Sequence, residues 1–146
     1  MLEEIFEEST IDQLPISKDY MVPILYHFYC MKHMLGPDTD NSIEVDHIIP
    51  QSLFNASATI PKKETIQHNV LNLGLLPKGE NISKSDKKLI VIDDTWLVDQ
   101  IERYEFIKKE DFAKYSNVNN YQSLFDYRKP IFYEAYDTDR DKLLNN

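Results

Sequence analysis

Residues 43–50 read IEVDHIIP, and residues 69–77 read NVLNLGLLP. Both stretches are rich in β-branched and aliphatic side chains, and both stop at a proline, which cannot donate to a sheet ladder. They predict two short strands, joined by a long connection over 51–68 that has room for short helical pieces. After the second strand, Gly79-Glu80-Asn81 leads into a helix expected from about 82 to 90, capped by Asn81 or Ser83. A lone two-stranded hairpin is marginal in water, so the rest of the chain must cover it.

The flanks are suited to that task. Residues 1–16 suggest an acidic amphipathic turn or two, with Leu2, Ile5 and Phe6, ending near Pro15. A helix is expected over 18–35, capped by Ser17 or Asp19, because Met21, Ile24, Leu25, Phe28, Met31 and Leu35 recur at helical spacing. Pro23 is tolerated only near a first turn, which places the helix start close to it. Gly36-Pro37 ends the helix, and 38–42 form a turn. Downstream, Asp93 or Asp94 opens a helix with Leu97, Ile101, Tyr104 and Ile107 in one stripe, and a short helix is expected at Asp111 to Tyr115. The last helical region, about 120–144, turns Leu124, Tyr127, Ile131, Ala135 and Leu143 inward, with Pro130 kinking or dividing it. The expected fold is α+β: two strands and a helix at the centre, wrapped by helices. One domain over 1–146 is expected, with helical flanks 1–42 and 91–146 around a core at 43–90.

Composition narrows the function classes. A chain of 146 residues with 42% hydrophobic and 12% aromatic residues can build a core. Three glycines leave no Walker-type phosphate loop and no GxGxxG dinucleotide motif. A single cysteine, Cys30, excludes an internal disulfide and a Cys-rich zinc ribbon. No apolar run reaches the ~18 residues of a membrane span. The acidic start, MLEEIFEEST, is unlike a signal peptide, so a soluble cytoplasmic protein is expected. The net charge of −9 argues against general affinity for nucleic acid. That charge is uneven: residues 1–55 carry −8, residues 92–146 carry −4, and residues 56–91 carry +3. The basic island consists of Lys62, Lys63, Lys78, Lys84, Lys87 and Lys88.

Within residues 44–88, Asp46-His47 ends the first strand, Asn72 lies in the second and Asn81 begins the helix. Phosphodiester hydrolysis needs a water deprotonated near neutral pH, which suits His47, since histidine titrates near 6.5 when unperturbed. It also needs a hard cation, and Mg²⁺ takes one or two protein oxygens, as Asp46 and Asn81 offer. Asn72 would tie the loop to the strand through backbone hydrogen bonds and so aim His47. Lys84, three residues past Asn81 on the same helical face, would hold the scissile phosphate. Each residue also has a plainer reading. An isolated histidine in a strand is usually structural, Asn81 would serve as a helix cap and Lys84 as a solvated lysine. Asp46 and His47 are adjacent and face opposite ways, so one shared metal site requires the strand to bend or end there; Glu44 is the fallback ligand. His68 is expected at the surface. The His27, Cys30 and His33 run is expected to pack rather than bind zinc, and the Tyr and Phe residues of 115–136 to pack helices rather than stack on bases.

VDHIIPQSLF at 45–54, NLGLLPKGEN at 72–81 and SKSDKK at 83–88 resemble the HNH, or ββα-metal, nuclease motif. DHIIPQS is similar to the first HNH segment of CRISPR effector nucleases. The later pattern, and more weakly the tail DYRKPIFYEAYDTDRDKLLNN at 126–146, resembles the C-terminal nuclease domain of GmrSD-type modification-dependent restriction enzymes. The resemblance implies a ββα-metal core that cleaves DNA with Mg²⁺ or Mn²⁺, leaving 5′-phosphate and 3′-hydroxyl ends. It implies His47 as general base, Asn72 as the structural central residue, and Asp46 and Asn81 as metal ligands. It also implies a restriction or anti-phage role and a nucleotide-binding (NTPase) partner domain or subunit, since this chain carries no Asp-Gly-Gln-Gln-Arg type segment. Two features depart from the pattern: His47 and Asn72 stand 25 positions apart, and zinc-holding cysteine pairs are absent. The other class of function left open is a non-catalytic DNA- or protein-binding regulatory module that retains the fold.

Overall fold

A computed structural model of the chain describes residues 18–35 and 43–144, and for 18–21 and 136–144 the backbone alone. The expectations for 1–17 and 36–42, and the inward placement of Met21 and Leu143, lie outside the described residues. The architecture is α+β, with one two-stranded antiparallel sheet and seven α-helices among the described residues.

The first helix, α1, runs Lys18–Met31 and carries Pro23 at its sixth position. It therefore starts earlier than the proline rule suggests, and goes without the hydrogen bond that residue 23 would have made to the carbonyl of Asp19. Strand β1 (Ile43–His47) pairs with β2 (Leu73–Pro77) in a register that sets Asp46 opposite Gly74 and His47 opposite Leu73. Both strands are shorter than the apolar runs predict. Ile48 donates one more backbone bond to Asn72 O at 2.8 Å. At Ile49 the carboxamide of Asn72 replaces the backbone as partner and the ladder ends. On the other arm, Asn69 accepts from Leu71 N and turns residues 70–72 into a 3₁₀ segment before β2 begins.

The connection holds α2 (Gln51–Ala56) and α3 (Lys63–Gln67), the short pieces expected there. Helix α4 occupies Lys78–Lys84, directly after Pro77, rather than 82–90. Asn81 is consequently its fourth residue and not a cap. Proline suits the residue before a helix because its fixed φ already matches, and residues 89–91 form a separate 3₁₀ turn. Helix α5 (Thr95–Glu105) is capped as predicted, Asp94 Oδ1 accepting from Leu97 N at 2.8 Å. Its stripe of Leu97, Ile101 and Tyr104, with Ile107 just beyond, is buried. Short α6 (Phe112–Tyr115) follows, and α7 (Tyr121–Leu144) is one helix through Pro130, undivided.

These helices share one core with β2. Phe28 of α1 stacks on Phe132 of α7, with ring centroids 3.9 Å apart and planes 19° from parallel. Burying each ring contributes about 1.5–3 kcal/mol, and the pairing about 0.5–1.5 more. Arg128 of α7 is fully buried and donates from Nη1 to Leu71 O and Leu73 O, both at 2.8 Å. Tyr29 of α1 donates to Tyr104 O and accepts from Leu75 N. The hairpin is thus fixed by polar side chains reaching its free edge as well as by apolar cover.

Candidate active site

Alternation along β1 sends Glu44 and Asp46 to one face and Val45 and His47 to the other. Helix α4 lies on the Glu44/Asp46 face. Its Asn81 Nδ2 donates to Glu44 Oε2 at 3.1 Å, both side chains being half-buried. One turn on, Lys84 Nζ donates to Asp46 Oδ1 at 3.1 Å and lies 2.9 Å from Oδ2. The same ammonium donates to the carbonyls of His47 at 2.9 Å and Ile48 at 3.3 Å. Lys84 is 0% exposed and Asp46 4%.

This geometry corrects the expectation for Lys84. Its charge faces inward and neutralises Asp46, so it is a buried tie across the end of β1 and does not meet a phosphate at the surface. Asp46 in turn spends its carboxylate on Lys84, and it remains on the α4 face although the strand ends one residue later. Of the remaining island, Lys62, Lys78, Lys87 and Lys88 are exposed, while Lys63 Nζ donates to Asn55 O and Ser57 O at the end of α2.

Behind Asp46 lies a carboxyl that the sequence reading missed. Glu105, the last residue of α5, is fully buried, and a Cβ at Gly74 would stand 2.5 Å from its Oε2. Glycine opposite Asp46 is what admits this side chain. Burial, then the charge of Asp46, raises the Glu105 carboxyl well above the usual carboxylate range. Both Glu105 oxygens are buried without a hydrogen-bond partner, and Asp46 Oδ2 has the Lys84 ammonium 2.9 Å away. A protonated Glu105 donating to Asp46 satisfies both residues at once, and the two carboxyls then carry one negative charge against Lys84. Arg128 adds a second buried cation to the group, its guanidinium pulled below its ordinary value by burial.

The opposite face holds His47, 9% exposed. Its Nε2 is 3.1 Å from Nδ1 of His68, at the C-terminal cap of α3, and its Nδ1 is 3.2 Å from Nε2 of Gln51, the first residue of α2. The two imidazoles meet edge to face, with centroids 5.2 Å apart and planes at 68°. His68 was expected at the surface; it is half-buried and belongs to the site. Asn72 is fully buried: Oδ1 accepts from Ile49 N at 2.9 Å, and Nδ2 donates to Ile49 O at 3.1 Å and Gln67 O at 3.0 Å. One carboxamide therefore ties the chain just past His47 to the end of α3, one residue before His68.

Among the described residues, no group of three or more His, Cys, Asp or Glu is arranged to hold a metal ion. An open groove of about 390 Å³ lies elsewhere, between α4 and α5, lined by Glu80, Ser83, Lys87, Trp96 and Leu97, and contains none of the residues chosen from sequence.

Residues 4–122, well over half of the chain, match the family model described as GmrSD restriction endonucleases, C-terminal domain. The chain belongs to this GmrSD C-terminal domain family. Membership makes it a domain of restriction-type nucleases, which are hydrolases. The matched span includes β1, β2, α4, His47, Asn72 and Asn81. No curated protein and no solved structure gives a match. No helix among the described residues is long and apolar enough to cross a membrane.

Proposed function

We propose that the chain is a metal-dependent DNA endonuclease of the HNH kind, acting in restriction and anti-phage defence with His47 as general base. The observation that carries this reading is the hold on His47. The residue closes β1, Asn72 clamps the next turn in place, and Gln51 presents an amide N–H to its Nδ1. A ring nitrogen accepting that bond bears a lone pair, as a base for water must. In the reaction, His47 takes a proton from water as the oxygen attacks phosphorus, and the bond to the 3′ oxygen breaks on the far side.

The donor chemistry fits a hard divalent cation, Mg²⁺ or Mn²⁺, because Glu44, Asp46 and Asn81 offer only oxygens on one face and Mg²⁺ needs few from protein. Asn81 and Glu44 would hold the ion, with Asp46 joining them only by sharing its charge with Lys84. Such an ion would supply positive charge against the phosphate and the leaving oxygen, with the phosphate lying across the end of β1 between the Glu44/Asn81 face and His47. A nucleotide-binding (NTPase) partner domain or subunit completes the proposed system, and delivers DNA that the acidic chain attracts weakly by itself.

The test uses the purified chain, supercoiled plasmid, Mg²⁺ or Mn²⁺, an EDTA control and His47→Ala. Metal-dependent nicking that disappears in the variant is expected. Equal cutting by His47→Ala removes the proposed base. A wild type that binds DNA and never cuts, even with its partner supplied, favours the non-catalytic module.

A further inference from the structure

We propose that His68 is a positioning residue that fixes the tautomer and ring orientation of His47. The inference rests on His47 being the base of the proposed function, and adds a residue that lies outside the motif segments at 45–54, 72–81 and 83–88. Three groups stand in line. The Gln51 amide nitrogen can only donate, so His47 Nδ1, 3.2 Å away, accepts. A neutral imidazole then bears its proton on Nε2. That N–H points at His68 Nδ1, 3.1 Å away, which accepts in turn and places the His68 proton on its own Nε2. The order is Gln51 to His47 to His68, each group donating to the next.

The line has a direction. Reversing it would require His47 Nδ1 to donate and the Gln51 carboxamide to turn so that Oε1 receives the proton. Gln51 and His68 together hold the lone pair of His47 on Nδ1, where water is to be deprotonated. When Nδ1 takes the proton, the imidazolium keeps its Nε2–H bond to His68, so the contact persists through the step. Gln51 occupies the same Nδ1 meanwhile, and the reacting water displaces its amide. The support for the line is built from both ends. Asn72 Nδ2 binds Gln67 O, the residue before His68, while Asn72 also clamps Ile49, two residues before Gln51. The 25-residue separation of His47 and Asn72, long for the motif, is the segment that carries α2 and α3, and hence both partners of His47.

Two readouts test this on the full chain. In metal-free, ¹⁵N-labelled protein, the imidazole nitrogen shifts of His47 are expected to show Nε2 protonated and Nδ1 bearing the lone pair. In His68→Leu, where the Gln51 contact alone is left and its carboxamide is free to turn, both tautomers are expected to be populated. In plasmid cleavage with Mn²⁺, His68→Leu is expected to lower kcat on the order of 100-fold with little change in KM, since the base is misaligned while DNA contacts stay. His68→Asn, whose side-chain amide takes the place of Nδ1, is expected to restore most of that loss. A purely structural role would move stability without the tautomer shift or the Asn rescue. If His68→Leu does not fold, the wild-type shifts and the Asn variant decide. The proposal is overturned by Nδ1 protonated in the wild type, by a His68→Leu variant with wild-type shifts and kcat, or by Asn no better than Leu. A wild type that cuts no plasmid with either metal, even with its partner supplied, overturns the nuclease reading and the catalytic consequence with it, while the nitrogen shifts still decide the tautomer lock.

Discussion

Lys84→Met separates two roles for one residue. A phosphate contact at the surface would cost DNA binding and leave folding alone. The structure demands the opposite. Lys84 is wholly buried, and its ammonium serves three acceptors: the Asp46 carboxylate at 2.9 and 3.1 Å, His47 O at 2.9 Å and Ile48 O at 3.3 Å. Methionine fills the space but leaves a carboxylate, 4% exposed, facing neutral Glu105 and two carbonyls. Removing one partner of a buried pair costs about 3–5 kcal/mol. At roughly 2–4 °C per kcal/mol for a chain near this size, the midpoint should fall on the order of 10 °C. Thermal and urea unfolding measure the loss, and Asp46→Asn combined with Lys84→Met should recover much of the deficit. DNA affinity measured well below the midpoint should keep its salt dependence, whereas loss of a phosphate contact would lower the slope by about one. A variant that melts with the wild type and binds DNA with a shallower slope would refute the buried-tie assignment.

Glu105→Gln should flatten the pH dependence of stability. The raised carboxyl of the folded state contributes stability that is complete below the ordinary value of 4.5 and declines as pH climbs toward the folded value. The variant should therefore gain on the wild type between pH 5 and pH 8 in urea titrations; parallel curves would show that Glu105 is not held protonated. Asn72→Ala leaves Ile49 N, Ile49 O and Gln67 O without their side-chain partner, at about 1–3 kcal/mol for each group that stays buried and dry. Faster hydrogen exchange at the Ile49 amide reports the loss directly, and unchanged protection there would contradict the clamp. Ser85 sits at φ 48 and ψ −127, a region that suits glycine, so Ser85→Gly should raise stability by about 1 kcal/mol, and a fall in melting temperature would argue against strain there.

The legible part of the molecule was whatever local chemistry dictates. Asp94 capped its helix because an Asp side chain reaches the N–H three residues on, and the stripe of Leu97, Ile101 and Tyr104 had one face to bury. Asn72, read as a member of the second strand, could be assigned its tie because a carboxamide both donates and accepts, as holding the loop that aims His47 requires. The boundaries that moved were set by partners remote in sequence. β1 stops at His47 because a side chain 23 positions away takes over from the ladder at Ile49. Asn81 lies mid-helix because Pro77 starts α4 four residues earlier. The role of Lys84 was hidden for the same reason: charge and helical spacing say which face a lysine is on, not whether a carboxylate waits inside. Two signals were present and unread. Glu105 falls in line with Leu97 and Ile101 at intervals of four, and Arg128 lies between Leu124 and Phe132 in the same way. A charged residue on an otherwise apolar stripe announces a buried ionic partner. His68 carried no such mark, since its meeting with His47 is made by the tie that Asn72 throws to Gln67 O at the end of α3.

The reach of Arg128 bears on how this domain can be handled as a fragment. The family match closes at residue 122, the second residue of the last helix, and six residues before the guanidinium that grips Leu71 and Leu73. A piece ended at that boundary would forfeit Leu124, Phe125, Arg128, Phe132 and Ala135 from the interior. Phe28 would lose its stacking ring, and the hairpin carrying His47 would lose its anchor on the free edge. The matched span and the folding unit therefore have different edges, and an excised nuclease fragment needs the rest of the last helix beyond residue 122.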